Sequence, residues 1–194
     1  MLFHKTALKG VWLIELQPFA DQRGEFTRTW CREEFSRSGL DVNLSQGSIS
    51  FNPTSGTLRG LHWQAVPHSE AKIVRCSRGA IYDVVVDIDA RSPTHRQWLG
   101  FTLKPDTHRM LYISEGFAHG FQTLVDDTEV SYLSSAPYIA SAGRGLRYDD
   151  PALAIRWPLP VSLISERDRS WPLLDEGHHE SENLHRPPVG VQPA

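Results

Sequence analysis

The sequence predicts an all-β fold, a sandwich or a barrel, and three observations carry that expectation. Between residues 43 and 127, short runs rich in Val, Ile, Tyr, Trp and Phe are divided by Gly, Pro, Ser and Asp, the pattern of paired strands. One run, Ile81-Tyr82-Asp83-Val84-Val85-Val86-Asp87, is apolar enough to be buried on both faces. Helical signals are sparse: residues 31–39 form the best short helix, with Phe35 inward and Gly39 as its stop. No internal repeat or heptad competes with this reading.

In chain order, residues 11–16 read as a strand, residues 18–24 as a polar turn, and residues 25–30 as a second strand by alternation. After the helix, residues 46–51 alternate with polar positions, 57–64 and 71–76 are further strands, and 77–79 form a turn. Residues 80–88 are the strongest strand, 98–103 and 109–113 add two more, 115–121 read as a glycine-flanked hairpin, and 129–133 as another strand. The stretch through Asp149, Pro151, Trp157 and Pro160 marks an irregular exit. One domain is expected over residues 1–175, followed by a mobile polar tail over 176–194.

The 194 residues, with formal charge −3 and 40% hydrophobic content, suit one domain with a substantial core. There is no basic stripe for nucleic acid. No window approaches the ~20 apolar residues of a membrane span, and the first fifteen residues do not resemble a signal peptide. The two cysteines, Cys31 and Cys76, are not in a CxxC spacing, which argues against a disulfide framework or a cysteine zinc site and for a cytoplasmic setting.

The segment Gly56-Thr57-Leu58-Arg59-Gly60-Leu61-His62-Trp63-Gln64 is chemically the densest. Arg59 offers a guanidinium fork suited to phosphate, and His62, three residues on, offers a proton acceptor near neutral pH. Four other groups stand out. Lys72 sits on a strand of apolar neighbours, either as a stem along the barrel mouth or as a cation placed for an enolate. Tyr132 is either a core filler or a proton donor. His119 lies between glycines, with nothing local to fix its ring. Asp168, in Glu166-Arg167-Asp168-Arg169, reads on its own as one member of a solvated charge run. A metal-dependent alternative draws on His62, Glu70 and His119, in a His-x-His layout where Gln64 replaces the second histidine with a poorer ligand.

Several motifs occur together and in order. They are Phe19-x-Asp21-x-Arg23-Gly24-x-Phe26, then Gly56 through Gln64, then Ala71-Lys72-x-Val74-Arg75-Cys76. Next come Asp83-Val84-x-Val86-Asp87, Ser92-Pro93-Thr94, and Glu115-Gly116-Phe117-Ala118-His119-Gly120-Phe121-x-Thr123-Leu124. Glu129-Val130-x-Tyr132 and Ile164-Ser165-Glu166-Arg167-Asp168 complete the set. Across roughly residues 5–172 the chain resembles the dTDP-4-dehydrorhamnose 3,5-epimerase family of sugar-nucleotide isomerases. The resemblance implies a cupin-like jelly-roll β-barrel with a few short helices, a homodimer, and neither metal nor cofactor. It implies a dTDP-linked 4-keto-6-deoxy sugar as substrate, epimerised at C3, C5 or both through an enolate. It also implies roles: His62 as base, Asp168 as the carboxylate that orients it, Lys72 as the cation at the C4 carbonyl, and Tyr132 as the proton donor on the opposite face. Arg23, Gln46, Arg59, His119, Tyr138 and Arg167 correspond to substrate contacts, Tyr138 stacking on thymine and Arg167 standing where a lysine often lies near the diphosphate. Phe19, Arg28 and Ser48 are further substrate-side positions. The chain departs from the family at Arg28, where Glu is common, at Ser48, where Asn is common, and at Gly143, where Glu is usual. A sugar-nucleotide-binding module without catalysis is a third reading, motivated by those departures.

Overall fold

Alternation between inward and outward side chains folds this chain into two facing sheets. The computed structural model describes residues 1–40 and 42–174; the expected tail over 176–194 lies outside the described residues. In chain order the first strands are β1 (Leu2–Lys5), β2 (Val11–Glu15), β3 (Phe19–Asp21) and β4 (Gly24–Phe26), followed by helix α1 (Arg32–Arg37). Then come β5 (Gln46–Asn52), β6 (Leu58–Gln64), β7 (Lys72–Arg78), β8 (Ile81–Asp87) and β9 (Trp98–Leu103). The last are β10 (Arg109–Ile113), β11 (Phe117–Thr123), β12 (Thr128–Ser134), β13 (Gly143–Gly145) and helix α2 (Glu166–Arg169).

A six-stranded sheet has the order β1-β2-β10-β7-β12-β5, and a five-stranded sheet the order β13-β6-β11-β8-β9. The two sheets make the expected cupin-like jelly roll. Their inner faces meet through Val74, Cys76, Leu111 and Val130 on one side and Ile81, Val85, Leu103 and Phe121 on the other. The outer face of the six-stranded sheet packs Ile73, Met110 and Tyr112 with Phe35 of α1. The outer face of the five-stranded sheet packs Val84, Val86 and Ala118 with Leu146, Leu153 and Trp157, so a long irregular strap over residues 147–174 covers it. Burying a branched side chain in such layers stabilises by about 1.5–3 kcal/mol.

Most expected elements appear within a residue or two of their predicted ends, and three differ. Residues 18–24 are not only a turn: β3 and β4 pair as an exposed hairpin, Phe19 opposite Phe26, and the strand expected over 25–30 ends at Phe26. Residues 115–121 are not a hairpin. They lead into β11, a central strand paired with β6 and β8, because Gly120 is needed there for close approach to Gly60 rather than for a turn. The third is the short helix α2 in a stretch of charges, capped by the Ser165 hydroxyl, which accepts from the Asp168 N–H at 3.1 Å.

Candidate active site

One open end of the jelly roll holds a cavity of about 800 Å³, within the range of small-molecule sites. Its walls belong to different sheets. From the five-stranded sheet come Arg59, His62 and Gln64 of β6 and His119 of β11; from the six-stranded sheet come Gln46 and Ser48 of β5, Lys72 of β7 and Tyr132 of β12. The strap returns to add Arg167 and Asp168, and Tyr138 and Gly143 close the rim.

Local register explains how β6 supplies so many of these groups. Side chains three apart on a regular strand face opposite ways. Here His119 pairs with His62 but Phe121 pairs with Arg59, a step of two residues against three. That bulge brings Arg59 and His62 to one face. Gly60 makes it possible. Its φ is +127°, and a Cβ on it would lie 2.5 Å from the Gly120 Cα, so no other residue fits.

His62 Nε2 lies 2.6 Å from Asp168 Oδ1. The Gly60 N–H donates to the other oxygen, Oδ2, at 3.2 Å. Burial pushes the Asp168 carboxyl up, but the His62 contact and the Gly60 N–H more than offset it and hold it below the usual carboxylate range. The carboxylate is therefore ionised near neutral pH and fixes the imidazole proton on Nε2, which leaves Nδ1 with a lone pair. Asp168 is thus a buried anchor rather than part of a solvated charge run. Its side chain is 6% exposed, against 41% for His62.

A second imidazole stands directly across β6. His119 Nε2 meets both carboxylate oxygens of Asp83 at 3.0 Å, so the ring that nothing local in sequence fixes is held by a carboxylate 36 residues away. Asp83, fully buried on β8, was not recognised as part of the site; the one signal was a carboxylate in an otherwise apolar run. Lys72 Nζ pairs with Glu70 Oε1 at 3.1 Å. Arg59 donates from Nε to Asn52 Oδ1 at 2.7 Å, another partner that the sequence reading did not include.

The metal alternative does not assemble. His62, Glu70 and His119 are each engaged by Asp168, Lys72 and Asp83 respectively. No group of three His, Cys, Asp or Glu side chains among the described residues converges on a point. Gln64 is committed to the backbone: its amide donates to the carbonyls of His68 and Pro137, and its carbonyl accepts from the Ile139 N–H at 2.6 Å. Gln46 does similar work from the facing sheet, accepting from the Tyr138 N–H at 2.9 Å. The two glutamines fix the loop that carries the exposed Tyr138 ring.

Three expected positions lie away from this cavity. Phe19 and Arg23 are on the solvent-exposed β3–β4 hairpin, where Arg23 forks onto Asp21 and is 86% exposed. Arg28 pairs with Glu34 at 3.1 Å, so the charge reversal at that position is answered by helix α1. A short hairpin with no apolar face toward its own core has no means of carrying these residues to the cavity of the same chain.

The chain is similar to known proteins over most of its length. A family described as dTDP-4-dehydrorhamnose 3,5-epimerase matches residues 5–176. A dTDP-4-dehydrorhamnose 3,5-epimerase of Sinorhizobium fredii is 42% identical over 177 residues, 91% of this chain and 91% of that protein. A dTDP-4-dehydrorhamnose 3-epimerase of Streptomyces niveus is 38% identical over 91% of this chain and 85% of its own length. Among solved structures, a dTDP-4-dehydrorhamnose 3,5-epimerase of Bacillus anthracis with TDP and PPi bound superposes with a TM-score of 0.87. It is 39% identical and covers 89% of this chain and 99% of that one.

Proposed function

The chain belongs to the dTDP-4-dehydrorhamnose 3,5-epimerase family, and from that premise we propose that it epimerises a dTDP-linked 4-keto-6-deoxy sugar at C3 and C5. One observation carries the reading: a carboxylate-anchored imidazole on one sheet faces a phenol and an ammonium on the other, across a single cavity. Inversion of a carbon next to a ketone needs a base on one face and an acid on the other, and the two walls supply one each.

In this reading His62 Nδ1 removes the proton on C5 or C3, and the electron pair moves to the C4 oxygen as an enolate. Lys72 stabilises that oxygen, an effect of about 3 kcal/mol by analogy with the loss of a single oxyanion donor. The Tyr132 hydroxyl returns a proton to the opposite face, and solvent reprotonates the phenolate as it deprotonates the imidazolium. Proton in and proton out balance, no electrons are gained or lost, and the chemistry calls for no redox cofactor. Arg59 and Arg167, which form no ion pair with a carboxylate among the described residues, suit the diphosphate. Tyr138, 55% exposed at the rim, suits a nucleobase face, and His119 and Gln46 suit the sugar hydroxyls.

The functional unit is a homodimer in this proposal, in a reducing cytoplasm that suits the free Cys31 and Cys76. Phe19 and Phe26, 69% and 71% exposed on the hairpin, and Ile49 on the unpaired edge of β5 give a second copy an apolar surface. Arg23 and Phe19, remote from their own cavity, then serve the cavity of that copy.

Proton NMR of dTDP-4-keto-6-deoxyglucose with the enzyme in deuterated water tests the chemistry. Loss of both the C3 and C5 proton signals, with a new L-sugar pattern, is the expected result, and His62→Ala leaves both signals in place. Tyr132→Phe exchanges at one centre without inverting it. Substrate that binds yet keeps both protons with the wild-type enzyme would defeat the proposal, and loss at C3 alone would redefine the enzyme as a single epimerase.

A further inference from the structure

We propose that Trp171 and Gly143 set the pose of the Arg167 guanidinium and thereby the affinity for the nucleotide diphosphate; this rests on the reading that Arg167 meets that diphosphate. Arg167 is held on two sides. Its Nη1 donates to the Tyr138 hydroxyl at 3.2 Å, and its guanidinium carbon lies 5.2 Å from the centroid of the Trp171 ring. No carboxylate pairs with it among the described residues, so the cation is oriented without being neutralised. A guanidinium over an indole face is attracted by the ring quadrupole. An arginine already ordered loses less freedom when an anion arrives.

The floor beneath this pair is made of glycine. Gly143 and Gly145 are alternate residues of β13, which pairs with β6 at Gln64 and His62. A Cβ on Gly145 would lie 2.2 Å from the Trp171 ring, and a Cβ on Gly143 would lie 2.7 Å from Arg167 Nη2. The indole and the guanidinium therefore lie where side chains would otherwise be. Gly143 has φ −63° and ψ 129°, a conformation that any residue adopts. Its role here is space, not backbone freedom. The Trp171 Nε1 is buried without a hydrogen-bond partner among the described residues, a cost that a phenyl ring would avoid. The indole's advantage over phenyl at this position is its richer π face, which is the surface Arg167 covers.

Titration calorimetry of dTDP into the full chain tests the inference with four variants. Trp171→Leu keeps an apolar side chain but removes the π face, and Gly143→Ala crowds the guanidinium without straining the backbone. Each is expected to weaken dTDP by about two- to fivefold, the size of a solvent-exposed cation–π contact, with KM rising in step and kcat little altered. Trp171→Phe should bind between wild type and Trp171→Leu. Arg167→Ala should be the weakest binder. Should Arg167→Ala weaken dTDP while Trp171→Leu and Gly143→Ala bind as wild type does, the platform is wrong and the diphosphate role stands. Equal losses in Trp171→Phe and Trp171→Leu would also overturn it, since packing rather than the ring face would then be responsible. Unchanged binding in Arg167→Ala would remove both the diphosphate role and the inference built on it.

Discussion

His62 and His119 sit opposite one another on neighbouring strands, and each directs Nε2 at its own buried carboxylate. Separate anchors hold the two imidazoles in defined orientations. Removing one anchor should have a specific signature. Asp168→Asn keeps the shape but presents either an amide or a carbonyl to Nε2, so the imidazole can adopt the wrong tautomer. A loss of about 10⁴-fold in kcat accompanies such a change in an analogous His–Asp pair, and steady-state kinetics would read it; a loss under tenfold would mean that Asp168 only packs. The pH dependence of stability has a definite sign. Because the folded-state pKa of Asp168 lies below its ordinary value, its contribution is full above the unfolded carboxylate range near 4 and disappears as pH falls through the folded value. The Tm gap between wild type and Asp168→Asn should therefore be wider at pH 7 than at pH 3. At this scale the sequence was informative where chemistry was concentrated in one segment: Arg59 and His62 stood out as an anion clamp beside a base. Asp168 looked like surface, because the 106 residues separating it from His62 hide the burial that changes its character. Asp83 was hidden by its apolar neighbours.

Regular elements were legible in proportion to how cleanly their flanks stop them. Strands β9 and β10 match the expected 98–103 and 109–113 to the residue, each being bounded by turn residues and alternating in between. The strap over 147–174 was legible only as an irregular exit, because side chains binding backbone hold it rather than its own periodicity. Gln122 of β11 clamps Leu159 at both ends, donating to its carbonyl at 2.9 Å and accepting from its N–H at 3.1 Å. Asp150 accepts from the Leu174 N–H at 2.7 Å and so ties the strap back on itself. Between these ties the Leu58 N–H donates to the Leu163 carbonyl at 2.8 Å, two residues before the cap of α2. The strap thus delivers Asp168 to a strand on which it was not built. Gln122→Leu removes both polar partners of Leu159 in a fully buried position, a cost of about 2–4 kcal/mol for two orphaned groups. Calorimetry should show a Tm lower by roughly 5–15 °C for a chain of this size, with kcat reduced as Asp168 loses its fixed approach. An unaltered Tm would show that the strap is held elsewhere.

At the scale of the whole molecule, the residues that fit the family motif but miss the cavity are the informative ones. Arg23 lies in the motif that includes Phe19 and Phe26, yet its guanidinium points to solvent beside Asp21. A sequence gives the identity of a contact residue without saying which copy's site it completes. Two mismatches become one if the hairpin crosses to a second copy: exposed aromatic side chains are covered, and an arginine acquires a substrate. Sedimentation should then give a mass near twice 21.9 kDa, and Phe26→Asp with Ile49→Asp should shift it toward the monomer. Subunit mixing is the sharper test. His62→Ala has no base, and Arg23→Ala lacks the arginine it would lend to its partner; each homodimer is therefore impaired at both sites. In a symmetric two-fold dimer, a mixed pair has one cavity that keeps His62 and receives Arg23 from the His62→Ala subunit. After dissociation and random reassociation, roughly a quarter of all sites should regain wild-type turnover, because half of the dimers are mixed and each has one intact site. If activity stays at the level of the two separate variants, Arg23 does not act across a subunit boundary. Its place in the motif would then reflect the hairpin's own Asp21–Arg23 turn rather than the substrate.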